Sequence, residues 1–218
     1  MGEHTKTDIL EKLGAFSVSQ ISDALGFSHP VEAGLHPLDP MFRMCGRAVT
    51  VRCEPDDNLA VLHALDSTEK GDALVIACAA GSSAAVWGEL LSTAAKYRGL
   101  TGTIVDGAVR DVCEIKAMGY PVFSRSINGR RARKEKPGVL NIPIHCGSIV
   151  IQPGEMVFAD ANGILAVRAT ALQELFLKVV SIARKESEIK EQLLSGIGIV
   201  DILKLARPIA ASRSKSNT

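Results

Sequence analysis

The run Ala73-Leu-Val-Ile-Ala-Cys-Ala-Ala80 carries no charged or hydrogen-bonding side chain apart from one thiol. A half-exposed strand alternates apolar and polar positions. An unbroken apolar run bounded by turn residues therefore reads as a strand buried on both faces. Gly71-Asp72 supplies the turn before it, and Gly81-Ser-Ser83 a small-residue loop after it. Such strands belong to parallel sheets covered by helices. With the strand–helix alternation around it and the hairpin strands that follow, this run points to a mixed α/β fold around a partly parallel sheet.

The flanking segments agree. Gly46 to Cys53 is β-branched and alternating, and predicts a strand. Thr103 to Asp106 predicts another, ending at Gly107 and feeding a helix over Asp111 to Met118 that Gly119 stops. Pro121 to Arg125 reads as the next strand. Trp87 to Tyr97 has Trp87, Leu90, Leu91 and Ala94 at one-face helical spacing. Asn58 to Leu65 is helical, as are Thr7 to Leu13 and Ser17 to Leu25, with Ser17 and Ser19 as candidate N-caps. His29 to Pro40 is rich in Pro, Gly and His and reads as loop. Ile149 to Gln152, Met156 to Asp160 and Ile164 to Arg168 are short strands, the last two joined by the hairpin signal Asn162-Gly163. Leu172 to Leu194 is a long amphipathic helix with Arg184, Lys185, Glu186, Glu188 and Lys190 on its polar face.

The chain has 218 residues, which is ample for one core and tight for two. A single catalytic domain over 1–211 is expected, followed by a disordered polar tail over 212–218. Formal net charge is +1, so no global field draws in nucleic acid or an anionic membrane. The cationic residues that do cluster, Arg130, Arg131, Arg133, Lys134 and Lys136, read first as a solvated loop. The second reading of that loop is a contact to a carboxylate or phosphate on a substrate. The five cysteines (Cys45, Cys53, Cys78, Cys113 and Cys146) form no C-x-x-C pair and read as small buried hydrophobes. The start is polar with no apolar core after it, and no apolar stretch has membrane-spanning length. A reducing cytoplasm is the expected compartment.

Chemistry concentrates after the two buried strands. In α/β sheets ligands gather beyond the carboxyl ends of strands. Arg110, Asp111 and Glu114 lie there, and the two acids are three apart at a helix start, able to face one side. Hard oxygen ligands suit Mg²⁺ or Mn²⁺, and Arg110 offers a planar fork for a substrate carboxylate. The bland alternative is a helix whose first turn carries acids to complement its dipole. The second segment, Gly81 to Leu91, repeats the pattern of buried strand, small-residue loop and helix. Its free amides around Leu90 and Leu91 could bind a carboxylate, and Glu89 adds a further acid.

Glu89, twenty intervening residues, Arg110-Asp111, two more and Glu114 together resemble the acid-x20-R-D-x2-[ED] pattern of the class II pyruvate aldolases. These are the 4-hydroxy-4-methyl-2-oxoglutarate/4-carboxy-4-hydroxy-2-oxoadipate aldolases, in a superfamily with the regulator of ribonuclease activity A. Thr50 to Asn58, Gly71 to Val75, Val105 to Asp111, Cys146-Gly147 with Pro153-Gly154, and Asp160 to Gly163 match in order and spacing. The resemblance spans about residues 10 to 195. It implies a compact α/β/β/α sandwich of the swivelling-domain type with a long C-terminal helix, assembled as a homotrimer or a dimer of trimers. It implies that Asp111 contacts a divalent metal, that Glu89 holds metal-bound waters, and that Arg110 binds the 2-oxo acid. Gly88 and the amides of Leu90 and Leu91 would hold the substrate carboxylate. Glu114 separates the catalytic branch from the ribonuclease regulators. Glu186 or Glu188 would reach a neighbouring subunit's site. The chain departs from the best-known pattern in having Glu89 where that pattern has Asp.

The implied reaction is retro-aldol cleavage of a 4-hydroxy-2-oxo acid to pyruvate and a second oxo acid, with oxaloacetate decarboxylation as the chemically easier activity. No lysine lies in Gly81–Leu91 or Val105–Glu114, which disfavours Schiff-base chemistry. No G-x-G-x-x-G turn supports a methyltransferase. Two alternatives stay open: a non-enzymatic protein-binding regulator of a ribonuclease, and a metal-dependent reaction on a sugar acid or related 2-oxo compound. His63, His145 and Trp87 are expected to be structural, and His29 and His36 loop residues.

Overall fold

The structure, a computed structural model, describes residues 3–26 and 29–205, with side chains from Ile9 onward. The expected tail at 212–218 lies outside these residues. In chain order the elements are α1 (Glu3–Gly14), α2 (Val18–Leu25), β1 (His36–Pro37), β2 (Met44–Cys53), α3 (Leu59–Ser67), β3 (Asp72–Cys78) and β4 (Ala85–Trp87). Then come α4 (Glu89–Arg98), β5 (Gly102–Val109), α5 (Val112–Met118), β6 (Val122–Ile127) and β7 (Val139–Leu140). The last are β8 (Ile144–Cys146), β9 (Ile149–Ile151), β10 (Met156–Asp160), β11 (Gly163–Val167), α6 (Leu172–Leu194) and α7 (Ile199–Ile202). The mixed α/β class and the long C-terminal helix are as expected from sequence.

The main sheet runs β1-β6-β5-β3-β2-β10-β11, with β4 beside β5 and β7 beside β2. β2, β3, β5 and β6 are parallel neighbours, and β10 and β11 add an antiparallel flank. The apolar run that opened the sequence reading is central β3, whose side chains are buried from Asp72 to Ala77. Residues 32–37 nearly close the sheet on itself. Glu32 exchanges both backbone hydrogen bonds with Ile164 of β11 (2.8 and 2.9 Å), while β1 pairs with β6 at the opposite edge. Closure removes free sheet edges. The stretch read as loop over 29–40 thus contains a short strand with a structural task.

Two hydrophobic clusters hold the fold. One joins Val51, Leu74, Ile76 and Ile104 of the parallel strands to Val61 of α3 and Ile115 of α5. The separate β8–β9 hairpin enters the same cluster through Ile144 and Ile151. The other joins Phe158 and Leu165 of the antiparallel flank to Leu13, Ile21, Leu172, Leu175 and Val179. Each such aliphatic side chain contributes roughly 1.5–3 kcal/mol by leaving water. The start of α2 is set by a capping box: Ser17 Oγ accepts the Gln20 amide (3.2 Å) and Gln20 Oε1 accepts the Ser17 amide (3.1 Å).

The chain divides after Val179 into two compact units. In the second, the described residues form the end of α6 and α7, with Arg184 Nε donating to Glu188 Oε1 at 3.0 Å. No helix among the described residues is long and apolar enough to cross a membrane.

Three further expectations need correction. The segment from Trp87 is not helical from its start. Ala85–Trp87 is a strand, because Trp87 is buried in the sheet cluster and its indole Nε1 donates to Ser92 Oγ (2.7 Å). β5 continues past Gly107 to Val109, since a second parallel partner, β4, extends its ladder. Cys113 is exposed, being on the outer side of short α5, whereas Cys53 and Cys146 are buried.

Candidate active site

β4 and β5 lie side by side, and each ends where a helix starts. β5 delivers Arg110 and Asp111. β4 delivers Gly88 and the first turn of α4. The Arg110 amide donates to the Trp87 carbonyl at 3.0 Å and ties the two strand ends together.

Asp111 is the N-cap of α5, with φ 58 and ψ 44. That left-handed conformation costs an L residue roughly 1–2 kcal/mol, although Asp and Asn bear it better than most. Its carboxylate does not cap its own helix. Instead Oδ2 accepts the Glu89 amide at the start of α4 (3.1 Å) and lies 3.5 Å from Arg110 Nε. Gly88 makes this approach possible. Its φ of −168 is ordinary extended backbone, so the requirement is space. A Cβ there would stand 2.5 Å from Asp111 Oδ2 and 3.1 Å from Arg110 Cγ.

Gly88 offers α4 no side-chain cap, and the amides of Leu90 and Leu91 have no acceptor within their own helix. The open helix start favours an anion. Gly88, Leu90, Leu91, Arg110 and Asp111 line a cleft of about 450 Å³, together with Asn58, Arg131 and Lys134. Glu89 and Glu114 are exposed and do not line it. Glu89 contributes its backbone amide to Asp111. Glu186 and Glu188 belong to the second unit.

The tripeptide Asp56-Asp57-Asn58, after β2, closes the Thr50–Asn58 stretch that resembles the family, where spacing assigns it no role; it positions both loops of the cleft. Asp56 has φ 55. Its Oδ1 accepts the amides of Ser83 and Ala84 (both 2.8 Å), and its Oδ2 pairs with Arg130 (3.1 Å). Those amides, Ala84 first, hold its carboxyl below the usual range. Asp57 Oδ2 accepts the amides of Glu135 and Lys136 (2.8 and 3.1 Å), and Oδ1 that of Leu59 (2.9 Å). Burial pushes the Asp57 carboxyl up, but these amides outweigh it and the net direction is down. The Asn58 amide nitrogen Nδ2 donates to the Val86 carbonyl (3.1 Å), and its backbone amide to the Arg133 carbonyl (3.0 Å). The available signal was the run of short polar side chains after a strand end, which bond to nearby backbone.

Among the described residues no three His, Cys, Asp or Glu side chains converge as a metal cage. Asp111 offers a lone carboxylate at a cleft, and its Oδ1 accepts no hydrogen bond from the described residues. One hard oxygen suits a cation that keeps several waters, such as Mg²⁺ or Mn²⁺, and does not suit a four-ligand zinc site.

Residues 18–166 match the family model described as RraA-like, Aldolase/RraA. The chain is 31% identical over 188 residues to a protein of Halalkalibacterium halodurans that carries the provisional name 4-hydroxy-4-methyl-2-oxoglutarate aldolase. The match covers 86% of this chain and 89% of that one. A crystal structure of an uncharacterized protein from Pseudomonas syringae pv. tomato superposes with TM-score 0.81 at 26% identity, covering 91% of this chain and 93% of the other. RraAS2 of Streptomyces coelicolor, described as an unusual member of the RNase ES inhibitor RraA family, superposes with TM-score 0.76 at 23% identity. It covers 85% of this chain and 98% of its own, a likeness of fold alone.

Proposed function

Because the chain belongs to the RraA-like family of aldolases and RraA proteins, we propose that it is a divalent-metal-dependent lyase that cleaves a 4-hydroxy-2-oxo acid to pyruvate and a second oxo acid, and decarboxylates oxaloacetate. One observation carries the reading. Arg110, Asp111 and the open start of α4 meet on a single cleft although they come from different strand ends.

Asp111 would hold the cation; the Glu89 side chain, which does not line the cleft, would have to turn inward to bond the cation's waters. A bound divalent cation supplies Lewis acidity at the 2-oxo group. The residues of the chain do the rest. The amides of Leu90 and Leu91 bind the substrate carboxylate and orient it. The Arg110 guanidinium, whose Nε lies 3.5 Å from Asp111 Oδ2, would face the oxygen on which negative charge grows as the C3–C4 bond breaks. For an aldol substrate the C4 hydroxyl proton leaves to a base, with a carboxylate-held water in that role. Oxaloacetate needs no such base, because C4 departs as CO₂ and the electron pair of the C3–C4 bond passes to C3 and the 2-oxo oxygen.

Exposed apolar side chains on α6, among them Leu177 and Leu194, support self-association, and a homotrimer or dimer of trimers belongs to the same reading. The test is pyruvate release from oxaloacetate with EDTA, with Mg²⁺ or Mn²⁺ restored, and with Asp111→Asn. Metal-dependent turnover lost in the variant supports the lyase. Turnover no faster than free metal, from folded protein, refutes it and favours the non-enzymatic regulator.

A further inference from the structure

We propose that Arg131 and Lys134 form a second anion subsite in the cleft, which holds a carboxylate at the end of the substrate remote from its 2-oxo acid group. The proposal deepens the lyase reading and rests on it for the identity of the bound 2-oxo acid.

Three observations carry it. First, Arg131 and Lys134 line the same cleft as Arg110 and Asp111. Its charged lining is then three cations and one carboxylate, and that carboxylate lies beside Arg110. One substrate carboxylate leaves the cleft electropositive, and a divalent cation makes it more so.

Second, the loop that carries them exposes its charged side chains, as a basic run predicts, but its backbone is anchored. The Arg131 backbone bridges to Ala85 of β4, and Ala132 is buried. The Ala85 amide donates to the Arg130 carbonyl (2.8 Å), and the Arg133 amide to the Asp56 carbonyl (2.8 Å). Asp57 holds the amides of Glu135 and Lys136 on the far side. Both cations therefore stand on backbone anchored before any ligand arrives, which lowers the ordering cost of binding.

Third, neighbouring cations of the loop are used differently. Arg130 is neutralised by Asp56 (3.1 Å) and bonded to Ser83 Oγ (2.8 Å). Arg131 and Lys134 have no carboxylate partner among the described residues, and Lys136 does not line the cleft. Two uncompensated donors on a fixed loop, facing a cleft whose other end takes a 2-oxo acid, match a ligand with an anion at each end.

The experiment measures binding, not turnover. With Mg²⁺ present, calorimetry compares 2-oxoglutarate with 2-oxobutyrate, which shares the 2-oxo acid end and lacks the second carboxylate. The wild type should bind 2-oxoglutarate about tenfold or more tightly than 2-oxobutyrate, the effect of one charge-assisted contact. Arg131→Ala and Lys134→Ala should each narrow that ratio, and the double variant should bring it to within about twofold. Lys136→Ala, a cation removed from the same loop but away from the cleft, should leave it unchanged. No preference in the wild type, a ratio unmoved in the double variant, or an equal loss in Lys136→Ala overturns the subsite. Because 2-oxoglutarate is not cleaved, a protein that shows the preference but releases no pyruvate from oxaloacetate would keep the subsite and lose the lyase reading.

Discussion

Gly88→Ala separates stability from function at this site. The glycine has an ordinary extended φ of −168, so alanine meets no backbone strain there. Removing a glycine from the unfolded chain favours folding by about 0.4–1 kcal/mol. The cost is local. The new methyl would lie 2.5 Å from Asp111 Oδ2, against about 3.4 Å where ordinary contact begins. The carboxylate must retreat by roughly 0.9 Å, several times the tolerance of about 0.2 Å on a metal–oxygen distance. It must also loosen the 3.1 Å hydrogen bond from the Glu89 amide. Arg110 Cγ, at 3.1 Å, is pressed aside by the same methyl. Side-chain ends move cheaply, so the melting temperature should stay within about 3 °C of wild type. A catalytic group displaced by about 1 Å commonly costs on the order of 10²-fold in rate. We expect Mn²⁺ affinity, read by calorimetry, and pyruvate release from oxaloacetate to fall by about 10- to 100-fold while the melting curve barely moves. Wild-type affinity and turnover in Gly88→Ala would refute the claim that Asp111 works from its seat over Gly88.

Three further outcomes follow from the same geometry. Asp111→Asn should keep the fold within about 0.5 kcal/mol, because Asn tolerates the left-handed region and still accepts the Glu89 amide. Asp111→Ala should lose about 1 kcal/mol or more in urea melts, and both should lose metal-dependent turnover. Asp57 has its carboxyl held below its ordinary value, so the stability it contributes is full above that value, near 3.9, and drains away as pH falls through the lowered folded one. Asp57→Asn should therefore destabilise the protein at neutral pH and flatten the acid limb of its stability curve below about pH 4; an unchanged limb in thermal melts from pH 2 to 7 would count against the clamp. Burial pushes the Cys45 thiol up to about 12, and raises Cys146 too, while Cys113 is exposed. Iodoacetamide at neutral pH should label Cys113 first in peptide mapping, with Cys45 and Cys146 reacting only on unfolding.

Much of the architecture was legible along the chain because it rests on local patterning. A short continuous apolar run bounded by turn residues reads as a strand buried on both faces, and β3 is one. The amphipathic α6 and the Arg110-Asp111-x2-Glu114 spacing are likewise properties of consecutive residues. What sequence could not supply were contacts between segments far apart in the chain. Trp87 has helical spacing to Leu90 and Leu91, but a partner strand twenty residues later makes Ala85–Trp87 a strand. The basic loop is exposed as its charge run predicts, but only the fold shows that Asp57 and Ala85 anchor its backbone beside the cleft. Asp111 reads as a first helical residue, and only packing over Gly88 turns its carboxylate away from its own helix and toward α4. Patterning determined which residues are buried and which carry charge. The fold decided which of those charges share a cleft, because proximity across a sheet depends on strand order and register, which no local period encodes.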